Sequence, residues 1–185
     1  MSPQSDKLLI LDLDETLIYS VKEPLDGSPD FTAFHYFVYK RPGVDRFLST
    51  CTDWFQIAVW TSSSPEYAHE IIKNVFPKTI KLQFVFTWER CDVRFDYQTG
   101  KYYYVKPLKK LKKKGYSLKK LIAIDDTPET FIDNCDNAIQ VRKYKGQQDD
   151  DELFLLLNYL KTLATVENVR KIDKQDWRGR MGNGE

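Results

Sequence analysis

The chain has 185 residues, of which 42% are hydrophobic and 30% are charged, and its formal net charge at pH 7 is +1. That length predicts one domain, residues 1–185, with a core of its own. The balanced charge argues against a chain that coats nucleic acid or stays unfolded, and since no apolar run reaches about 18 residues we expect no membrane span.

The cysteine count and the start of the chain bear on its compartment. Three widely spaced cysteines, an odd number, favour reduced thiols over a disulfide framework or a zinc site. Residues 1–7 are polar and lack the apolar core of a secretory signal. We therefore expect a cytoplasmic protein, or a nuclear one in a eukaryote.

The first predicted strand lies in Leu8–Ile18, whose sequence is LLILDLDETLI. Its apolar run has the length of a strand buried on both faces, as in a parallel sheet. Since an unpaired carboxylate inside such a strand is costly, we expect the strand to end near Asp12. Residues two apart in an extended chain point to the same side, so Asp12 and Asp14 should converge on one small volume.

Turn-forming residues and then aromatic residues follow this strand. Tyr19–Asp30 is rich in Pro, Gly and Asp and predicts a loop. Phe31–Lys40 is aromatic and β-branched and predicts a strand or hairpin, placed where a flap over a crevice would be inserted. Val44–Cys51 predicts a short helix.

Two later apolar strands also end in polar residues. These are Thr61 and Ser62 after Phe55–Trp60, and Asp125 and Asp126 after Leu121–Ile124. Ser64 and Pro65 then begin one helix, and Thr127 and Pro128 another, by the same cap-and-proline pattern. Because parallel strands end at one edge, where open α/β sheets form their ligand crevices, the repetition predicts a single polar site.

The remaining segments complete an alternation of strands and helices. They are a strand at Leu82–Phe86, an irregular stretch at Thr87–Gly100 leading to a strand at Tyr102–Val105, a lysine-rich helix face in Lys106–Lys120, a last strand at Ala138–Val141, an amphipathic helix at Asp149–Ala164 and a polar tail from Glu167 that contains Trp177. This order predicts an α/β fold, a three-layer α/β/α sandwich with a central parallel sheet.

Several carboxylates around one crevice repel one another, so we expect a cation, and an all-oxygen ligand set suits Mg²⁺. An aspartate there can attack phosphorus and form an aspartyl-phosphate. A second carboxylate two residues on can protonate the leaving oxygen and later accept a proton from water. A hydroxyl such as that of Thr61 can bind a phosphoryl oxygen, and one lysine can neutralise the developing charge.

Five segments carry a family resemblance. They are LDLDETL at Leu11–Leu17, KRPGVDRFL at Lys40–Leu48, VWTSSSPEYA at Val59–Ala68, YVKPL at Tyr104–Leu108 and IDDTPETF at Ile124–Phe131. In this order they resemble haloacid-dehalogenase (HAD) superfamily phosphatases, and in detail the FCP/SCP branch, the NLI-interacting-factor-like protein serine/threonine phosphatases. The resemblance implies a HAD-like core at about residues 7–163, a flap at about 19–40, a small β insertion at about 87–105, a polar tail at about 167–185 and no large cap domain.

The resemblance also implies roles for individual residues. Asp12 would be the nucleophile and a Mg²⁺ ligand, and Asp14 the general acid/base whose backbone carbonyl also binds the metal. Thr61 would bind phosphate with Ser62 in support, Thr16 would brace the loop, and Lys106 would neutralise charge. Small phosphatases of this branch carry an Asn metal ligand where this chain has Asp126. We therefore expect Asp126 to ligate the metal and Asp125 to support Lys106 or a metal-bound water.

Relatives of this kind hold a proline beside the phosphoserine with apolar side chains. The corresponding residues here would be Phe34 and Tyr36 on the flap and Tyr67 on the helix after Thr61. Arg90 roughly matches an arginine near the phosphate, although a longer insertion follows it in this chain.

The sequence predicts a Mg²⁺-dependent phosphomonoester hydrolase that acts as a monomer on phosphoserine or phosphothreonine in proteins. The alternatives apply the same chemistry to a nucleic-acid end phosphate or a small phosphorylated metabolite. The lysine-rich segment motivates the nucleic-acid alternative, and the near-neutral total charge disfavours it. A non-catalytic binding module is a third hypothesis, which the presence of all the acids disfavours.

Overall fold

The computed structural model describes residues 6–182, with side chains described as far as Arg180. The ends of the predicted domain, residues 1–5 and 183–185, lie outside the described residues. The strands are β1 (Leu8–Leu11), β2 (Ile18–Val21), β3 (Phe31–Ala33), β4 (Tyr36–Lys40), β5 (Gln56–Trp60), β6 (Leu82–Phe86), β7 (Asp92–Asp96), β8 (Lys101–Val105), β9 (Leu121–Asp125) and β10 (Ala138–Gln140). The α-helices are α1 (Val44–Trp54), α2 (Pro65–Val75), α3 (Lys109–Lys112), α4 (Glu152–Thr165) and α5 (Trp177–Gly182), and 3₁₀ helices span Trp88–Arg90, Leu118–Lys120, Pro128–Asn137 and Val169–Lys171.

A parallel five-stranded sheet in the order β10-β9-β1-β5-β6 forms the centre of the fold. Strand β1 pairs with β5 on one side and with β9 on the other, so it is the middle strand. Leu9 and Leu11 join the core cluster on one face of the sheet, and Leu8 and Ile10 join the cluster on the opposite face. The prediction of a first strand buried on both faces is therefore confirmed.

Helical layers cover both faces of this sheet, which confirms the predicted α/β fold. Helices α1, α2 and α4 pack on one face, while α3 and the Pro128–Asn137 segment cover the other. This second layer is thinner than predicted. The segment after Thr127 is 3₁₀ rather than α-helical and is interrupted by non-helical backbone at Phe131 and Asn134. The lysine-rich stretch contains only the single-turn α3 and the 3₁₀ helix Leu118–Lys120, and its Leu108 and Leu111 are buried.

Two insertions border the carboxyl edge of the sheet, and each contains a strand that the sequence pattern missed. The flap is a three-stranded antiparallel sheet in the order β2-β4-β3, so β2 replaces the start of the predicted loop. The second insertion is a hairpin in which β7 pairs antiparallel with β8, where Thr87–Gly100 was expected to be irregular. Charged and apolar residues alternate along β7, but the charged ones face inward, which reverses the usual strand pattern.

The polar tail packs against the core through Trp177, which is fully buried. Its indole Nε1–H donates to the carbonyl of Gln140 at 2.9 Å, and its ring stacks on Tyr159 with centroids 5.8 Å apart. Within residues 6–182, no helix is both long enough and apolar enough to cross a bilayer.

Candidate active site

The carboxyl ends of β1, β5 and β9 deliver polar residues to one edge of the sheet. The Asp12 amide donates to the carbonyl of Ile124 at 3.1 Å, which fixes the end of β1 beside β9. The Thr61 amide donates to the carbonyl of Phe86 at 2.9 Å, which fixes the end of β5 beside β6. These strand ends enclose a cavity of about 180 Å³, called here the acidic crevice. It is lined by Asp12, Asp14, Glu15, Thr61, Ser62, Ser63, Lys106, Asp125, Asp126, Thr127 and Thr130.

Lys106 is the cation at the base of the acidic crevice, and its side chain is 1% exposed. Its Nζ donates to Asp12 Oδ1 at 2.7 Å and to Asp125 Oδ2 at 2.5 Å. Burial alone would lower the pKa of Lys106, but the two carboxylates outweigh burial and raise it. A protonated lysine is thus shared between the predicted nucleophile and Asp125, the last residue of β9.

Three buried carboxylates form a cluster that could hold a metal ion. Asp12, Asp125 and Asp126 each offer an oxygen, and the three oxygens lie within 4.8 Å of one another. Burial raises the pKa of Asp12 well above its ordinary value, and the nearby Lys106 only partly offsets that effect. The cluster contains three acidic side chains and is contacted by one buried lysine. A divalent cation that prefers carboxylate oxygens, such as Mg²⁺, fits this donor set.

The carboxylate of Asp126 is held from three sides. Thr16, fully buried, donates its hydroxyl to Asp126 Oδ1 at 3.2 Å, and Thr127 donates to Oδ2 at 2.9 Å. Lys143 Nζ lies 3.3 Å from Asp126 Oδ2 and also contacts Glu15 at 3.0 Å. Thr16 thus links the loop after β1 to the acids after β9.

Asp14 also lines the acidic crevice, but its hydrogen-bond partners differ from those of Asp12. Ser63 donates its hydroxyl to Asp14 Oδ2 at 2.7 Å, and the Tyr67 hydroxyl donates to Oδ1 at 2.6 Å. Burial raises the pKa of Asp14, while both hydrogen bonds act in the opposite direction. Glu15 adopts a left-handed φ of 57°, and this turn separates Asp14 from the chain that follows. Asp12 and Asp14 therefore lie in different surroundings, as two different chemical roles require.

A buried arginine fixes the loop that carries these acids. Arg41 donates to the carbonyl of Thr16 at 3.0 Å and makes two hydrogen bonds to Asp150 at 2.7 and 2.8 Å. Its side chain is fully buried, and its guanidinium lies 5.4 Å from the ring centroid of Tyr144. Such a bidentate pair restrains the loop that follows β1.

A second cavity, of about 580 Å³, lies between the flap and α2. Phe34, Tyr36 and Tyr67 line it, and Asp14 contributes to its wall. The structure therefore brings three of the four predicted substrate-binding residues together. Arg90 lies apart from them: its guanidinium sits 5.6 Å from the ring centroid of Phe86, and it lines neither this cavity nor the acidic crevice.

Sequence reasoning missed three contributors to the site. Ser63 stands in the run of hydroxyl residues after β5, where only Thr61 and Ser62 were singled out. Arg41 belongs to the matching segment KRPGVDRFL, but its role depends on Asp150, 109 positions away. Lys143 follows the last strand in a basic stretch that carries no motif, so nothing in the sequence pointed to its contact with Asp126.

Comparison with known proteins identifies relatives over most of the chain. The family model described as NLI interacting factor-like phosphatase matches residues 7–170. "Probable C-terminal domain small phosphatase" of Dictyostelium discoideum is 34% identical over 174 residues, which are 90% of this chain and 53% of the relative. "CTD small phosphatase-like protein 2" of the same organism is 32% identical over 169 residues, which are 88% of this chain and 28% of the relative. The chain thus spans about half or less of these curated relatives.

More distant proteins give the same picture. "Carboxy-terminal domain RNA polymerase II polypeptide A small phosphatase 1" of Homo sapiens is 28% identical over 92% of this chain and 65% of its own length. Among solved structures, that of "Fcp1, an essential RNA polymerase II CTD phosphatase" matches with a TM-score of 0.59 at 18% identity, over 86% of this chain and 51% of that one. At that identity the structural likeness establishes the fold.

Proposed function

The chain belongs to the NLI interacting factor-like phosphatases, a family of HAD-type phosphoric monoester hydrolases, and we propose that its acidic crevice hydrolyses phosphoserine or phosphothreonine in proteins. The observation that carries the proposal is the bridge from Lys106 to Asp12 and Asp125. It sets a cation beside the carboxylate that would attack phosphorus, where two like charges must approach each other.

In the proposed first step, an oxygen of Asp12 attacks phosphorus as the bond to the serine or threonine oxygen breaks. The leaving oxygen takes its proton from Asp14, and the phosphoryl group remains on Asp12 as an aspartyl-phosphate. Lys106 and the hydroxyl of Thr61 stabilise the charge on the phosphoryl oxygens. Ser63 and Tyr67 hold the Asp14 carboxyl on the side of the crevice that opens toward the flap.

In the second step, water attacks phosphorus while Asp14 accepts its proton, and cleavage of the Asp12–phosphorus bond releases phosphate. Asp12, Asp126 and the backbone carbonyl of Asp14 would hold Mg²⁺, with Asp125 orienting Lys106. When bound, Mg²⁺ would supply a Lewis acid that polarises a phosphoryl oxygen. Thr16 and Thr127 keep Asp126 aimed at the same volume.

The proposed substrate class follows from the surroundings of the crevice. The flap is a small sheet, and the second cavity between it and α2 lies beside Asp14, on the side where the leaving group would depart. Phe34, which is 66% exposed, and Tyr36 give this cavity an apolar wall suited to a proline next to the phosphorylated residue. The names of two relatives, which refer to the C-terminal domain of RNA polymerase II, support a polypeptide substrate.

Turnover of three substrate classes in Mg²⁺ tests the proposal: a phosphoserine-proline peptide, a 3′-phosphorylated oligonucleotide and a set of sugar phosphates. We expect the highest kcat/KM on the peptide, and after borohydride reduction during turnover we expect the modified residue to be Asp12 by mass spectrometry. Turnover of a rival substrate without turnover of peptides would overturn the substrate class. A chain that hydrolyses none of these, nor an aryl phosphate, would be a binding module.

A flap variant tests the peptide side of the proposal separately. Phe34→Ala should raise KM for the peptide several-fold and leave aryl phosphate hydrolysis unchanged, because an aryl phosphate needs no contact with the flap. Phe154→Ala is the matched control, since Phe154 is 57% exposed on α4. Equal effects of the two variants on the peptide would remove the flap cavity from the substrate site.

A further inference from the structure

The β7–β8 hairpin exposes its apolar side. Along β7 the charged residues face the protein body, and Val93 and Phe95 face solvent. Their cross-strand partners, Tyr104 and Tyr102, share this outer face because Val93 pairs with Tyr104 and Phe95 with Tyr102. The exposed fractions are 59% for Val93, 39% for Phe95, 90% for Tyr97, 74% for Tyr102 and 37% for Tyr104. These five residues are called here the aromatic hairpin face.

Contacts on the inner side fix the hairpin in this orientation. Arg94 pairs with Asp133 at 2.5 Å, and Lys110 pairs with Asp92 at 2.7 Å. Val105, at the end of β8, is fully buried. On the outer side, Phe95 contacts Tyr97 and Tyr102 with ring centroids 5.0 and 4.9 Å apart. The outer face is therefore an ordered aromatic cluster, and contiguous exposed apolar groups of this kind mark interaction surfaces.

The segment that contains the hairpin is strongly basic. Residues 88–120 hold eleven Lys and Arg against three acidic residues, a surplus of eight in a chain whose net charge is +1. Lys101 stands at the tip next to Tyr102, and α3 begins at the base, where Lys110 contacts Asp92. Six lysines of this segment are exposed and form no ion pair among the described residues: Lys101, Lys109, Lys112, Lys113, Lys114 and Lys119.

We propose that the aromatic hairpin face is a docking surface for an acidic, extended segment of a partner protein that carries aromatic or aliphatic side chains. Negative charge on the partner complements the surplus of lysine, and its apolar side chains cover the tyrosine and phenylalanine rings. In residues 6–182, β7 and β8 pair only with each other, and β8 lies against the Pro128–Asn137 segment, so β7 has the edge that can accept a further strand.

Two other occupants fit these observations less well. A second copy of the chain would bring two lysine-rich segments together, and like charges oppose that association. Insertion into a membrane by the tip would bury a polar turn, because Gln98 and Thr99 at the tip hydrogen-bond to the Asp96 carboxylate at 2.8 and 2.6 Å. The acidic protein segment is thus the occupant that both the charge and the shape favour.

In the sequence, the hairpin is directly followed by a residue of the acidic crevice. Strand β8 ends at Val105, and the next residue is Lys106, whose amide donates to the carbonyl of Thr130 at 2.6 Å. A partner docked on the hairpin is therefore held beside the crevice. Docking itself does not depend on the proposed reaction, so binding can be measured without turnover.

Fluorescence anisotropy with a labelled random copolymer of glutamate and tyrosine tests the proposal. Polyglutamate is the control that lacks aromatic side chains, and a lysine–tyrosine copolymer is the control of opposite charge. We expect the glutamate–tyrosine copolymer to bind best. Phe95→Ser combined with Tyr102→Ser should weaken its binding at least tenfold while aryl phosphate turnover stays unchanged. Phe154→Ser, an exposed aromatic on α4, should bind as the wild type does.

Tyr97→Ser separates loss of binding from a folding defect, because Tyr97 is 90% exposed and its substitution cannot disturb the core. It should weaken binding in the same direction. Equal binding by the wild type and all hairpin variants would overturn the proposal, as would equal binding of polyglutamate and the copolymer. Binding to phosphatidylserine vesicles without binding to the copolymer would identify a membrane as the occupant instead. A dimer that the hairpin variants dissociate would identify a second copy of the chain as the occupant.

Discussion

The acidic crevice and the aromatic hairpin face depart from the usual distribution of residues in opposite ways. The crevice buries charge: Asp12, Lys106 and Asp126 are each less than a tenth exposed. The hairpin face exposes rings that a core would ordinarily cover. Buried charges are rare unless paired, and large exposed apolar patches are rare unless they bind something. Each region therefore points to function for a different physical reason.

The two regions differ in whether their side chains already have contact partners within the protein. In the crevice, every carboxylate named as catalytic or metal-binding has a hydrogen-bond partner within the protein, from Lys106, Thr16, Ser63 or Tyr67. On the hairpin, the rings contact one another and leave their outer surfaces to solvent. A preorganised polar site needs its contacts before substrate arrives, whereas a docking surface gains its contacts when the partner binds.

The largest expected effect is that of Asp12→Asn in the crevice. Loss of the proposed nucleophile should reduce hydrolysis of an aryl phosphate about 10⁴-fold or more. Because burial raises the pKa of Asp12, the folded protein disfavours its charge, and a neutral amide of the same shape should leave the melting temperature equal or higher. Steady-state kinetics and thermal melts measure the two effects.

Asp53→Asn is the matched control, since Asp53 is exposed on α1 and should change neither quantity. If Asp12→Asn kept its activity, the crevice would lose its proposed nucleophile. If the variant instead unfolded, the buried charge of Asp12 would be required for folding. The crevice would then differ from the hairpin in its contribution to stability, and the kinetics would give no evidence for catalysis.

Lys106→Met should weaken both function and fold. It leaves Asp12 and Asp125 buried without their shared cation, which we expect to cost about 3 kcal/mol in the free energy of unfolding. Loss of one charge-stabilising donor should also lower kcat about 10²- to 10³-fold. Urea unfolding and aryl phosphate kinetics measure these changes, with the exposed Lys109→Met as control. Added Mg²⁺ should stabilise the variant more than the wild type, because a divalent cation replaces the lost charge.

The crevice was predictable because its residues violate a strong local pattern. An unpaired aspartate inside a buried apolar strand is costly, so the polar residues Asp12, Thr61 and Asp125 indicate where three such strands end. The family resemblance, confirmed by the match over residues 7–170, identified Lys106 among the neighbouring lysines. Parallel pairing of β1 with β5 and β9 then brought these positions together, as the fold class required.

The hairpin face was less predictable because its pattern can be interpreted in two ways. Alternating Asp92, Val93, Arg94 and Phe95 fits a strand of either orientation, and only the tertiary pairs of Arg94 and Lys110 decide which side faces inward. The segment Tyr102–Val105 was predicted to be a strand, but its sequence does not show that Tyr102 and Tyr104 face solvent. Lys143 escaped prediction for a similar reason, since its partner Asp126 belongs to a different element.

Lys143→Met tests how a positive charge at the edge of the crevice affects its affinity for Mg²⁺. Lys143 is half-exposed and contacts the Asp126 carboxylate, so its positive charge would compete with a metal bound at the proposed site. Its removal should tighten Mg²⁺ binding by about fivefold, the effect of a screened charge near the surface worth about 1 kcal/mol. Isothermal titration with Mg²⁺ measures this directly. Lys145→Met, an exposed lysine of the same loop, should leave the affinity unchanged, and weaker binding by Lys143→Met would contradict the competition.

The smallest expected effect is that of Phe95→Ala on the free energy of unfolding. Its ring pairs across the strands with Tyr102 at 4.9 Å but faces solvent, so we expect a loss of only about 0.5–1 kcal/mol. Phe47→Ala, in a fully buried position on α1, should cost about 3–5 kcal/mol by the same urea titration. If the two substitutions lower the free energy of unfolding equally, the outer face of the hairpin is already covered in the free protein. The hairpin would then not differ from the crevice in lacking contacts before a partner binds.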